Sequence, residues 1–389
     1  MIDFNFVSPT KIFFGKGKEA QIGDILVEFG AKRVLIVYGS KRIEADLLPL
    51  VLSKIEEKGI YCVTHHGVRP NPTLDFVLEG IKVAKENKID FILAIGGGSP
   101  IDAAKSISAG FYYDGDPFDF NLHLTTPKKV LPLGVILTHA SAGSELSNSC
   151  VIQDDARQIK QGFASDLNRP VFAIENPELT YGVSAYQTAA GGSDIMMHSL
   201  ERYFDPSDED QLADEWALAL IKNTMNAIKA ALANPSDYEA RARLMLNSSL
   251  SHNGLTGIGK QFGFVVHPIE HALSGYAPSI THGAGVALIF PAWAEHVYRR
   301  DIGKFAHLAE VLFNIKDDDL EKMAIIGIAS MRQYFASIGM PTRLSEVGLG
   351  EKDIPSLAAL ATGNNTRMIG CCHQSLNMED VQAILTRLL

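Results

Sequence analysis

The hydrophobic pattern of this chain changes its period near residue 180, and that switch limits the fold more than any other feature. Before it, short β-branched apolar runs alternate with stretches of helical spacing. Arg33-Val34-Leu35-Ile36-Val37-Tyr38 ends at Gly39-Ser40, and Leu47 to Lys58 is helical and stops at Gly59, a residue suited to the C′ position. Ile60 to Thr64 predicts a strand, Thr73 to Asn87 a helix and Phe91 to Ile95 a buried strand. Such alternation predicts a parallel sheet covered by helices on both faces. Beyond the switch the apolar spacing is helical almost throughout: Ala185–Tyr203, Ala213–Ala233, Asp237–Leu255, Val286–Tyr298, Ile302–Leu312, Leu320–Ile338 and Met378–Leu388. The Asn176-Pro177-Glu178-Leu179 turn is a candidate linker. The expected organisation is an α/β domain over residues 1–182 and an all-helical domain over 183–389.

A net charge of −10, with no basic run carrying interleaved aromatics, argues against a nucleic-acid or anionic-membrane surface. No apolar run reaches the length of a membrane span. Met1-Ile2-Asp3-Phe4-Asn5-Phe6 lacks the charged-then-apolar pattern of a secretory signal. Cys62, Cys150, Cys371 and Cys372 suggest a reducing compartment without a disulfide framework, so a cytoplasmic enzyme is expected. Cys371-Cys372-His373 resembles a fragment of a metal site, but it has no Cys-x-x-Cys partner and reads as structural.

Two pairs of residues four apart carry the strongest chemical signal. Asp194 with His198, and His267 with His271 in His267-Pro268-Ile269-Glu270-His271, would each stack on one face of a helix. Together with His282, which opens His282-Gly283-Ala284-Gly285, they form a candidate coordination set for a borderline divalent cation, Zn²⁺ or Fe²⁺. The carboxylate brings charge and the neutral imidazoles bring nitrogen donors. His65, His66, His123, His139, His252, His296, His307 and His373 have no ligand-like spacing and read as surface or hydrogen-bonded residues.

Phe91–Ile95 runs directly into Gly96-Gly97-Gly98-Ser99-Pro100-Ile101-Asp102. Three glycines permit close backbone approach and positive φ, Ser99 is a suitable N-cap, Pro100 suits the first helical position, and Asp102 stands where it could reach back to the cap. A strand, a glycine turn and a helix start present N–H groups and a positive dipole end to an anion, so a pyrophosphate site is expected. The spacing is neither Gly-x-Gly-x-x-Gly nor a Walker loop, and a plain tight turn is the alternative. A second turn, Thr138-His139-Ala140-Ser141-Ala142-Gly143-Ser144-Glu145, follows the apolar run Val130–Leu137. It offers small and hydroxylated groups to a sugar, a phosphate or a nicotinamide amide, or is simply a small-residue turn.

These segments, with Thr10-Lys11-Ile12-Phe13-Phe14-Gly15 and Pro70-Asn71-Pro72, resemble over the whole chain the iron-containing (group III) alcohol dehydrogenases, and their butanol dehydrogenase branch in particular. The resemblance implies a Rossmann-like dinucleotide-binding domain, a helical metal domain, the dehydroquinate synthase-like fold, and a homodimer. By motif, Asp194, His198, His267 and His282 would be the metal ligands, and His271 an extra histidine beside the nicotinamide. Gly96, Gly97, Gly98, Ser99 and Asp102 would hold the pyrophosphate. Thr138 and Ser141 would lie on the nicotinamide side, and Asn71 and Lys160 on the ribose or adenosine side. The chain departs from the family at Ala142, where a threonine is usual, and at His139, where a smaller or apolar residue is usual.

The implied chemistry is hydride transfer between nicotinamide C4 and a small primary alcohol or aldehyde polarised by the metal. His271 would either relay the alcohol proton or orient the nicotinamide. After Tyr38 come Gly39, Ser40, Lys41 and Arg42, with no acid until Glu44. A small residue, a hydroxyl and cations accept a 2′-phosphate, so NADP(H) is expected over NAD(H), unless Lys41 and Arg42 are merely solvated. A glycerol-type polyol dehydrogenase is a close rival. A dehydroquinate synthase-like lyase would need several cations for a phosphorylated substrate, and Lys260 is the one obvious cation near His267.

Overall fold

The computed structural model describes residues 2–206, 211–261, 263–370 and 375–389, so Phe262, Cys371, Cys372 and His373 lie outside the described residues. The chain divides into two compact units, Val7–Gly182 and Val183–Leu389, the second joined by the N-terminal segment up to Phe6.

In the first unit the strands are β1 (Lys11–Phe14), β2 (Arg33–Tyr38), β3 (Tyr61–His66), β4 (Phe91–Gly96), β5 (Leu133–Leu137), β6 (Ser149–Asp154), β7 (Ile159–Ala164) and β8 (Phe172–Glu175). The helices are α1 (Ile22–Glu28), α2 (Leu48–Glu56), α3 (Leu74–Glu86), α4 (Gly98–Gly110) and the single turn α5 (Phe118–Asn121). Six strands form one parallel sheet in the order β1-β8-β5-β4-β2-β3. Residues 34–38 of β2 and 91–95 of β4 are buried throughout, as strands covered on both faces must be. On one face Val34, Ile36, Phe91, Leu93, Ile95, Phe172 and Ile174 pack on Ile22, Leu26, Val51 and Ile55 of α1 and α2. Gly134 lies mid-strand because the Phe172 ring covers it: a Cβ there would sit 2.1 Å from the Phe172 Cζ.

Two local expectations need correction. Helix α4 begins at Gly98 with Gly97 as its N-cap, and no side chain caps it. Ser99 therefore lies inside the first turn, and Asp102 does not reach back to the cap. Its carboxylate instead accepts from the Ser144 hydroxyl at 2.6 Å and the Val151 N–H at 3.1 Å. A charge inside the fold is held by the nearest strong donors, and those come from the chain after β5. The antiparallel β6–β7 hairpin was not expected from the pattern. It turns at Gln158, held at φ 55°, and is tied to the Asn71 loop by the Gln153 N–H donating to the Pro72 carbonyl at 2.8 Å.

Lys105, fully buried on α4, holds this region together. Its ammonium donates to the carbonyl and hydroxyl oxygens of Ser144 (2.7 and 2.9 Å) and Ser147 (3.0 and 3.2 Å) and to the Ser149 carbonyl (2.8 Å). Burial lowers its pKa to about 8, while Asp102 opposes that shift.

The second unit is helical: α6 (Ala185–Tyr203), α7 (Gln211–Ala233), α8 (Tyr238–His252), α9 (Val266–Tyr276), α10 (His282–Val297), α11 (Ile302–Phe313), α12 (Leu320–Ser337), α13 (Ile354–Ala361) and α14 (Met378–Thr386). Helix α9 was expected only through the His267 and His271 spacing and α13 was not expected, and α10 begins at His282, not Val286, because Gly283 and Gly285 blur its start. Gly283 is there for space, since a Cβ would meet the Ala190 carbonyl oxygen at 1.9 Å. Among the described residues no helix is long and apolar enough to cross a membrane.

Lys105→Met should destabilise the first unit by about 3–5 kcal/mol, because it strands buried oxygens and the Asp102 charge together. Urea unfolding followed by circular dichroism would measure it, and a loss well under that range would show that the lysine carries little of the junction.

Candidate metal centre

The second unit brings Asp194, His198, His267 and His282 together from three helices. Helix α6 presents Asp194 and His198 one turn apart, α9 presents His267 in its first turn, and α10 presents His282 as its first residue. Small residues make this approach possible: Ala189, Ala190, Gly191 and Gly192 line α6, and Gly283 lets α10 start against it. One carboxylate oxygen is the focus. Asp194 Oδ1 lies 3.5 Å from His198 Nδ1, 3.5 Å from His267 Nε2 and 3.6 Å from His282 Nε2. Asp194, His267 and His282 offer ligand atoms within 4.8 Å of one another. His271 is partly exposed, its ring 5.6 Å from that of His282, and with Glu270 and His282 it offers a second set of ligand atoms within 4.8 Å of one another.

These residues fit a divalent cation. The buried ring nitrogens His198 Nδ1 and His267 Nε2 make no hydrogen bond, which is costly unless a ligand completes them. Burial alone would raise the Asp194 carboxyl, but the three imidazoles hold it well below the carboxylate range. His198 is pushed down by burial and by His252, so it stays a neutral nitrogen donor. Burial opposes a charge on His267, yet Glu201 and Asp194 on its two sides raise its pKa to about 10. Zn²⁺ and Fe²⁺ accept a carboxylate and imidazole nitrogens, and those ions can be held by Asp194, His198, His267 and His282, with His267 giving up a proton on binding.

The outer contacts escaped sequence reasoning. Glu201, one turn past His198, is buried and bonds His267 Nδ1. It also accepts from the N–H groups of Val265 (2.5 Å), Val266 (2.6 Å) and His267 (3.4 Å), so it caps α9 from another helix. Glu270 does the same for His282, bonding its Nδ1. Gly285 clears the room, since a Cβ there would sit 2.7 Å from the Glu270 Cγ. Each carboxylate fixes a ring so that Nε2 faces Asp194. Glu270 lay inside the quoted His-Pro-Ile-Glu-His segment; Glu201 had no marker beyond its helical register. Lys260 is engaged elsewhere: buried, it pairs with Asp214 and donates to the Arg202 carbonyl at 3.2 Å, which removes the cation a phosphate-binding lyase would need.

In the first unit the two candidate cofactor turns interlock. The Thr138 N–H donates to the Gly96 carbonyl at 2.9 Å. A Cβ on Gly97 would sit 3.1 Å from that of His139, and one on Gly98 would sit 3.3 Å from that of Ala142. His139 and Ala142 thus lie directly against the glycine turn. Ser141 is partly exposed on the same turn. Asn71 adopts φ 55°, and Lys160 on β7 pairs in register with Gln153 and acts electrostatically on Asp102. Gly39 permits close packing, since a Cβ would meet the Val68 carbonyl oxygen at 2.5 Å. The Ser40 hydroxyl accepts from the Ile43 N–H at 3.2 Å, and Lys41 is exposed. Arg42 donates instead to the Leu179 carbonyl at 3.2 Å.

Glu201→Gln should weaken Zn²⁺ binding about 10–100-fold with the helical content retained. Chelator competition would measure this, and unchanged affinity would mean that Glu201 only anchors α9.

Comparison with known proteins agrees with this geometry. Residues 9–177 match the iron-containing alcohol dehydrogenase family and residues 188–389 its C-terminal part. The NADH-dependent butanol dehydrogenase A of Clostridium acetobutylicum is 39% identical over 390 residues, covering 100% of both chains. The NADPH-dependent aldehyde reductase YqhD of Escherichia coli is 31% identical over 364 residues, 92% of each. The crystal structure of NADH-dependent butanol dehydrogenase A from Thermotoga maritima superposes with a TM-score of 0.96 at 32% identity, over 100% of this chain and 99% of that one. The chain belongs to the iron-containing alcohol dehydrogenase family, in its butanol-dehydrogenase-like branch, and is an NAD(P)-dependent oxidoreductase.

Proposed function

We propose that this enzyme interconverts small primary alcohols and aldehydes at the Asp194, His198, His267 and His282 cluster, as a cytoplasmic homodimer. The single observation that carries it is the buried Asp194 oxygen ringed by three imidazole nitrogens at 3.5–3.6 Å. When bound, the divalent ion supplies Lewis acidity toward the substrate oxygen and the nicotinamide supplies or accepts the hydride. The chain's own residues do the rest. Glu201 and Glu270 hold two ligand rings by their Nδ1 atoms, so that Nε2 is turned to Asp194. Gly96, Gly97, Gly98 and Ser99 hold the pyrophosphate region, with Asp102 bracing the turn from behind through Ser144 and Val151; Thr138 and Ser141 hold the nicotinamide side, and Asn71 and Lys160 the ribose or adenosine side. His271, beside His282 and partly exposed, moves the alcohol proton.

The dinucleotide preference is for NADP(H). No acid follows β2 until Glu44 to repel a 2′-phosphate, and Lys41 is exposed near the strand end. Arg42 is turned toward Leu179, so Lys41 carries the charge alone. The relatives named above are described with either cofactor, which makes Lys41 the residue to test.

Metal-stripped protein reconstituted with Fe²⁺ or Zn²⁺ should turn over butanal with NADPH, and protein without metal should not. Hydride transfer without metal, or with glycerol-type polyols in preference to butanal, would displace the proposal. Lys41→Ala should lower kcat/KM for NADPH about tenfold and spare NADH, since a charge-assisted bond to phosphate is lost; equal loss with both would reject the 2′-phosphate role. His271→Gln should lower kcat for alcohol oxidation by about 10²-fold and remove the profile's neutral-pH limb. An unchanged pH profile would assign His271 to orientation alone.

A further inference from the structure

The third ligand ring is backed differently from the other two. Behind His198 stands His252, its ring 4.0 Å away, and behind His252 stands Arg202. Arg202 is 3% exposed. Its Nη1 donates to the carbonyls of His198 (2.6 Å) and Ser251 (3.0 Å), and its Nη2 donates to His252 Nδ1 (3.0 Å). His252 Nδ1 is therefore an acceptor, and its ring is a neutral spacer between the guanidinium and the ligand. The guanidinium also lies over the Phe264 ring, 5.1 Å from its centroid.

The buried charges around the centre then sum simply. Asp194, Glu201 and Glu270 are each at most 1% exposed and contribute three negative charges. A divalent ion contributes two positive charges and Arg202 the third. Lys260 and Lys304 belong to a neighbouring set with Asp214 and Asp205 and leave this sum unchanged. Excess charge in a buried site is expensive, so the balanced state is favoured.

We propose that Arg202 tunes this centre to divalent ions: it completes electrical neutrality with a 2+ ion and disfavours a 3+ ion by leaving the site one charge in excess. The inference rests on the metal assignment, and the test separates the two. Metal-stripped protein is equilibrated with Zn²⁺ or Ga³⁺, both closed-shell and redox-inert, in nitrilotriacetate buffers, and bound metal is counted by mass spectrometry. At an effective dielectric of ~20 and a separation on the order of 10 Å, one unit charge changes affinity by about tenfold for each added unit of ion charge. Arg202→Gln should therefore raise the Ga³⁺-to-Zn²⁺ affinity ratio about tenfold, and Arg202→Lys should leave it near the starting value. Glu201→Gln should lower the ratio about tenfold, and the double variant should restore it. An unchanged ratio in Arg202→Gln, or an equal shift in Arg202→Lys, overturns the proposal by assigning Arg202 to hydrogen bonding alone. If Arg202→Gln does not fold, Glu201→Gln decides, and an unchanged ratio there overturns charge balance equally. An unaltered chain that takes up neither ion overturns the metal assignment itself and the proposal with it.

Discussion

A carboxylate buried to 1% exposure needs compensating charge or hydrogen bonds, and Asp194 is that carboxylate here. The second unit is arranged to meet this need. The small face of α6 admits the start of α10 close enough for His282 to reach Asp194, and the start of α9 is drawn in by Glu201 so that His267 can reach it too. Three neighbouring imidazoles turn an unfavourable burial into a place for a cation, and the outer carboxylates keep those rings from turning away. Catalytic chemistry is then a small addition to an arrangement already dictated by electrostatics.

Much of the architecture was legible because it follows periodicity. Strands buried on both faces read as unbroken apolar runs, and Arg33–Tyr38 coincides with β2 as expected. Ala185–Tyr203 likewise coincides with α6. The hairpin at 149–164 was not legible, since its residues are mixed in polarity and are held by the Asn71 loop and by α4, not by an alternating pattern. The start of α10 was hidden by Gly283 and Gly285, which lower helix propensity at the place where close packing requires them.

The site was legible only in part, and for a physical reason. Residues four apart on a helix announce themselves, so Asp194 with His198 and His267 with His271 could be found. Contacts between helices leave no spacing in the sequence, so Glu201, Arg202 and His252 could not. The same holds for the glycine turn: the strand running into it and the helix leaving it were visible, but not that Asp102 would be turned toward Ser144 and Val151, nor that Arg42 would be occupied by Leu179.

Glu201 serves two masters at once, and this shapes how the protein can change over evolutionary time. One oxygen anchors the first turn of α9 while the other bonds Nδ1 of His267 and sets the angle of its ring. A mutation that seeks a harder or softer ligand at this point also loosens the helix that carries it. The His198 side carries less of this burden: His252 lies between its ring and the Arg202 guanidinium, which meets His198 through the backbone carbonyl, and no helix start depends on that contact.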